Sequence, residues 1–323
     1  MMRSLTLLPL AAWLNVAFLH AQPVPAVEEN IPFLVTFGGN SETSWGDDDF
    51  CQTFFFVVPK GTTVPVYLRV FDPECSGTLD EAKGDFNTVT NFSVYGGKGC
   101  ISEADARNTD PTGKYRSGNL LASKDFGNDP NYDGQWYTFG PFDPNSGEDA
   151  AEYGGLVFKM VAQGKRGDDG NLYRFFMSSQ ANANVPIEGG NAFTFEYSFR
   201  LHDDPKEVSH IYPYVDDRVI SVKQSNFDWD GDGIIRLVSV AKRGEAMALS
   251  GDDNWASSEH KIVKEELNTS LDIRFIKRPD GAVRNNNVVF FVRNQYGELL
   301  PFYTVPIGGI PQYRPTIAVT RTR

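Results

Sequence analysis

The chain has 323 residues and a net charge of -12, from 42 acidic and 30 basic side chains. That balance argues against nucleic acid and anionic membrane surfaces as partners, since both recruit Lys and Arg; it suits a solubilising surface or one that collects divalent cations. Hydrophobic residues at 41% and aromatics at 13% can fill a packed core, and the length suits two domains of ~100–200 residues each.

The chain opens with Met1, Met2 and basic Arg3, then an apolar run from Leu5 to Leu19 broken by Pro9 and Asn15, then Ala21 before Gln22. A basic start, an apolar stretch and a small residue at the cut form the pattern of a secretory signal peptide over 1–21, with Ala26 as a second candidate cut. The run is shorter and more interrupted than the ~20 apolar residues a spanning helix needs. The expected location is therefore secreted or cell-surface, with the periplasm also open, and the mature chain is expected to have no membrane span. Cys51, Cys75 and Cys100 would meet an oxidising compartment, which permits one disulfide and leaves one thiol over; all three pairings stay open.

Strand signals dominate the rest. Thr53 to Val58 is aromatic and β-branched, and Val64, Val66, Leu68 and Val70 alternate with the two-residue period of a half-buried strand. Phe193, Phe195, Tyr197 and Phe199 alternate likewise, as do Leu271, Ile273 and Phe275; 287–292 and 300–305 add two more candidates. Asn294-Gln295-Tyr296-Gly297 reads as a hairpin loop. Residues 257–268 are the best helical segment, and read equally well as a strand followed by a charged turn. The pattern predicts an all-β fold of two β-sandwich domains: jelly-roll-like over 28–202, then smaller and immunoglobulin-like over 208–323, joined at the polar, Pro-containing 202–208.

The sharpest chemical signal lies at 225–237, SNFDWDGDGIIRL. Asp228, Asp230 and Asp232 alternate, so a tight loop can turn their carboxylates to one centre. Calcium wants six to eight oxygen ligands from such a loop. Gly233 permits the sharp turn at the sixth position, and the Ile234 carbonyl falls at the seventh. The loop resembles the DxDxDG calcium loops of EF-hands, dockerins and the FG-GAP blades of integrin-type propellers, and the last most closely, because a strand-like run follows it. The resemblance covers about a dozen residues and implies calcium as the cofactor. It departs from the pattern at the ninth position, Arg236, and at the twelfth, Ser239, so the loop either binds weakly or borrows ligands from elsewhere. The motif occurs once, which does not support a propeller.

Other acidic loops are Asp47-Asp48-Asp49, Asp72 with Glu74 and Asp80, Asp129 with Asp133, Asp168-Asp169 and Asp252-Asp253. Each alone reads as a solvated turn, although Asp72 ends an apolar strand that can hold it rigid. Trp136 and Tyr137, in a Gly- and Asp-rich stretch, are the candidate glycan-binding residues, because exposed aromatic faces stack on sugar rings. No catalytic constellation stands out: His202, His210 and His260 lack metal-ligand spacing, and no GxSxG elbow or phosphate loop occurs. The sequence thus suggests a calcium-stabilised binding protein whose partner is an extracellular glycan or protein. A structural or assembly protein of the cell envelope, and a polysaccharide hydrolase working through two carboxylates, stand as alternatives.

Overall fold

A computed structural model describes residues 23–103, 106–107 and 115–315. The predicted signal peptide, 1–21, lies outside the described residues. The fold is all-β and sandwich-like, with antiparallel sheets and only short 3-10 turns beside the strands. Among the described residues the strands form a nine-stranded sheet, a seven-stranded sheet, a four-stranded sheet and a two-stranded pair.

The aromatic run at 53–58 lies in strand Cys51–Val58, where all eight residues are buried. Pairing on both edges, with Asn191–Thr194 and Gly155–Arg166, makes it an interior strand of the seven-stranded sheet. Alternation sends Phe54 and Phe56 into the main core and Phe55 and Val57 into a second apolar cluster on the other face. A strand covered on both faces reads in sequence as an unbroken apolar run. The main core is closed by the nine-stranded sheet: Phe54 meets Phe175 at 5.4 Å and Tyr197 at 5.5 Å, and Phe92 meets Tyr173 at 5.0 Å between ring centroids.

The alternating stretch at 192–200 is split into strands Asn191–Thr194 and Glu196–Arg200, which belong to different sheets. Glu196–Arg200 pairs with Phe33–Phe37 on one side and Asn287–Asn294 on the other. The nine-stranded sheet therefore runs without a break across the junction expected at 202–208, and one apolar cluster takes residues from both sides of it. Tyr197 faces the seven-stranded sheet, whereas Phe199, on the same face, meets Phe275 of the four-stranded sheet at 5.2 Å.

Residues 257–268 form no α-helix. Trp255–Lys261 is a strand in register with Ser221–Phe227 over seven residue pairs, and a 3-10 turn, Lys264–Glu266, follows. Cross-strand pairing has overridden a weak helical period, and the strand-then-turn reading is the one observed. The Asn294 loop is a hairpin, closed by Asn294 N–H to Glu298 O at 2.9 Å and by the Asn294 side chain accepting from Tyr296 N and Glu298 N. Cys51, Cys75 and Cys100 are buried free thiols, with no disulfide among them. Burial pushes all three up, Cys100 to about 12.

Phe199 stands where the sheets share their core, so Phe199→Ala should cost about 3–5 kcal/mol and shift one cooperative urea transition; a second, unshifted transition would show that the halves unfold apart. A further consequence concerns Glu29, which is fully buried against Tyr197 Oη (2.8 Å) and Ala26 N–H (2.6 Å). Burial outweighs these donors and raises its carboxyl from 4.5 to about 8. Because the folded value is the higher one, stability from this group is full below pH ~4.5 and is lost as pH rises through ~8. Glu29→Gln should flatten that decline by a few kcal/mol in denaturation midpoints measured from about pH 5 to 9; an unchanged slope would refute it.

Candidate metal centre

The DxDxDG stretch joins strand Ser221–Phe227 to strand Gly233–Val238. Its shape depends on Asp228 and Asp230 adopting φ of +58° and +59°, a left-handed conformation that Asp tolerates better than most residues. Trp229 points inward and is fully buried, 5.8 Å from Phe275 between ring centroids. At the loop's end Gly233 pairs with Lys277, where a Cβ would lie 2.1 Å from the Ile276 carbonyl oxygen; only glycine allows that approach. Ile234 is half exposed and lies within strand Gly233–Val238, opposite Ile276.

The loop is laced to the segment before strand Trp255–Lys261. Trp229 N–H donates to Ser250 Oγ (2.8 Å), Gly231 N–H to Ser250 O (3.2 Å) and Asp228 N–H to Asn254 O (3.3 Å). Asp253 N–H in turn donates to Asp228 Oδ1 at 2.7 Å. These bonds bring Asp252 beside the loop, and carboxylate oxygens of Asp228, Asp230 and Asp252 lie within 4.8 Å of one another. Among the described residues, no Lys, Arg or His is salt-bridged to any of the three. Burial, reinforced by the charges of Asp230, Asp252 and Asp253 and opposed by the Asp253 N–H, pushes Asp228 up to about 7. Burial and the charge of Asp252 also raise Asp230. Acidic groups gathered in this way can hold a metal ion.

Asp232 does not join them. It turns inward, where Oδ1 accepts from Val283 N–H (2.7 Å) and Oδ2 from the Asn286 amide (3.2 Å), and it pairs with Lys277 Nζ at 3.2 Å. Both side chains of that ion pair are essentially sealed from solvent, at 0% and 1% exposure, and Lys277 also donates to Val283 O. The third aspartate of the motif is therefore a structural counter-ion, and its place in the cluster is taken by Asp252, an acid from another turn.

Two further acid groups can hold a metal ion. Asp47, Asp48 and Asp49 converge, but both Asp47 oxygens already accept backbone N–H groups, of Phe37 and Phe50. Asp72, Glu74 and Asp133 also converge, uniting two loops that look unrelated in sequence. Asp80 is not in that set: its oxygens accept from Ser76 N–H and Leu172 N–H.

Trp136 and Tyr137 do not share a surface. They are neighbours in strand Trp136–Phe142, so their side chains leave opposite faces. Tyr137 packs on the core beside Phe126 at 5.0 Å, and Trp136 lies against Phe71 at 5.4 Å with the Arg69 guanidinium 5.0 Å from its ring centre. A cleft of about 350 Å³ occurs elsewhere, lined by Tyr153, Phe195, Tyr214 and Tyr303 with Arg107 and Arg218. The volume is at the lower end of small-molecule sites, ~300–1,000 Å³. Its aromatics come from distant segments, so no local stretch of sequence announces it.

No family model matches the chain, and neither the curated proteins nor the solved structures provide a match. Among the described residues, no helix is long and apolar enough to cross a membrane.

The two aspartates of one motif should behave differently in chelator. Asp232→Ala strands a buried Lys277 and should cost about 3–5 kcal/mol, whereas Asp230→Ala relieves repulsion but adds left-handed strain at φ +59°, so it should cost no more than about 1 kcal/mol. Urea midpoints decide it, and equal losses in the two variants would contradict the assignment.

Proposed function

We propose that this is a secreted or cell-surface binding protein stabilised by calcium, with an extracellular glycan or protein as partner. The observation that carries the reading is the convergence of Asp228, Asp230 and Asp252 from two laced turns with no basic partner among the described residues. Calcium is the ion such a set suits: hard carboxylate oxygens at a partly open site, with water to complete six to eight ligands. The borrowed Asp252 answers the motif's departures at Arg236 and Ser239. An ion bound only by the folded chain stabilises it by mass action, and here it would tie the turn at 228–232 to the turn at 250–254.

Export is supported by the basic-apolar-small pattern of 1–21. A cut after Ala21 keeps strand Pro23–Val24, which pairs with Phe175 and Phe176, whereas a cut after Ala26 removes it. The binding role is supported by the tyrosine-lined cleft, where half-buried Tyr153 and Tyr214 stand near the Arg107 and Arg218 guanidinium groups, a mix of aromatic and polar groups that suits a sugar or a peptide.

Residues 22–323 should melt several degrees lower in chelator than in calcium, and Asp230→Ala should narrow that gap. Wild-type protein that melts identically in both conditions would remove calcium from the reading.

A further inference from the structure

Strand Val66–Phe71 ends at Asp72, whose backbone turns into the left-handed region at φ +56°. Asp72 N–H donates to Gln135 O at 2.9 Å, and Gly134 N–H returns a bond to Asp72 Oδ1 at 2.7 Å. This exchange fastens the 127–135 connection to the strand end and sets Asp133 over it. Gly77 leaves the room needed: a Cβ there would lie 2.6 Å from Asp133 Oδ1. Glu74, fully buried, completes the group while accepting from Ser76 Oγ (2.7 Å) and Asp129 N–H (3.1 Å).

A separate observation distinguishes this group from a solvated acidic turn. Asp72 is 0% exposed, and its second oxygen, Oδ2, is buried without any hydrogen-bond partner. An unpartnered buried carboxylate oxygen costs free energy unless something compensates it. Its first oxygen is taken by Gly134, the side chain is closed to bulk solvent, and the neighbouring carboxylates of Glu74 and Asp133 offer no positive charge. Among the described residues, no Lys, Arg or His is salt-bridged to Asp72, Glu74 or Asp133. A cation is the partner that satisfies the orphan oxygen and the gathered charge together.

We propose a second calcium site at Asp72, Glu74 and Asp133, independent of the one at Asp228, Asp230 and Asp252. Two buried carboxylates supply the rigid side of the shell, and the more exposed Asp133 closes it from the loop. Bound there, the ion staples the 127–135 connection to the end of strand Val66–Phe71. It thereby fixes the entry to strand Trp136–Phe142, which lies at an end of the nine-stranded sheet and carries Trp136.

Isothermal titration of calcium chloride into residues 22–323 tests this. Wild-type protein should take up one ion at Asp228, Asp230 and Asp252 and one at Asp72, Glu74 and Asp133, two of the three acid groups that converge. Asp133→Asn should lose one of them, or weaken it at least ~10-fold, and keep the ion that Asp230→Ala removes; the double variant should bind neither. Asp133 is the accessible member, so its variant should melt in chelator as the wild type does, which separates loss of a ligand from loss of the fold. If Asp133→Asn titrates like the wild type, the second site is overturned while the first stands. If Asp230→Ala alone is silent, the first reading falls and the second stands. If the wild type takes up no calcium, both fall.

Discussion

Glu196–Arg200 is a short strand hydrogen-bonded on both edges, to Phe33–Phe37 from the beginning of the chain and to Asn287–Asn294 from near its end. The rest of the architecture depends on that double pairing. Because of it, one long sheet presents a single apolar face to two smaller sheets. Tyr197 is committed to the seven-stranded sheet and Phe199, two residues on and on the same face, to the four-stranded one. A polar, proline-containing junction at 202–208 looks like a domain boundary because composition is local. Pairing between strands some ninety residues apart is not, so the junction divides the chain without dividing the core.

The acidic residues show how one side-chain type takes on several physical roles. Glu29 is buried with no counter-charge among the described residues, and burial holds its carboxyl far above the usual range. Asp232 is equally buried but meets Lys277, so its charge is matched inside the protein. Asp47 spends both oxygens on backbone N–H groups. Asp228, Asp230 and Asp252 have no basic partner among the described residues and crowd one another instead, as do Asp72, Glu74 and Asp133. The net charge of -12 is therefore not spread evenly over a solubilising surface. Part of it is concentrated in these two groups, where no basic side chain among the described residues offsets it.

The strands were largely legible because their signals are short-ranged. Thr53 to Val58, Val66 to Val70, Ile273 with Phe275, and 287–292 all lie in strands, and the turn chemistry of Asn294 to Gly297 closes a hairpin. Elsewhere contacts distant in sequence decided the outcome. The run at 192–200 was split between sheets, and pairing with Ser221–Phe227 chose the strand-then-turn alternative for the charged segment at 257–268. Trp136 and Tyr137 were readable as exposed aromatics, but adjacency in a strand sends neighbours to opposite faces.

What the sequence by itself determined is the strand pattern, the turns and the presence of a tight acidic loop at 228–233, since a two-residue period and turn preferences are carried by neighbouring residues. Only the tertiary structure decided which acids share a centre. A carboxylate can turn outward to a cation or inward to a lysine, and the choice rests on what lies within a few ångströms of it. Pairing of Ser221–Phe227 with Trp255–Lys261 put Asp252 beside Asp228, and pairing of Gly233–Val238 with Asp272–Lys277 put Lys277 beside Asp232. Spacing within the motif contains neither fact, because both depend on strands that meet only after the chain has folded.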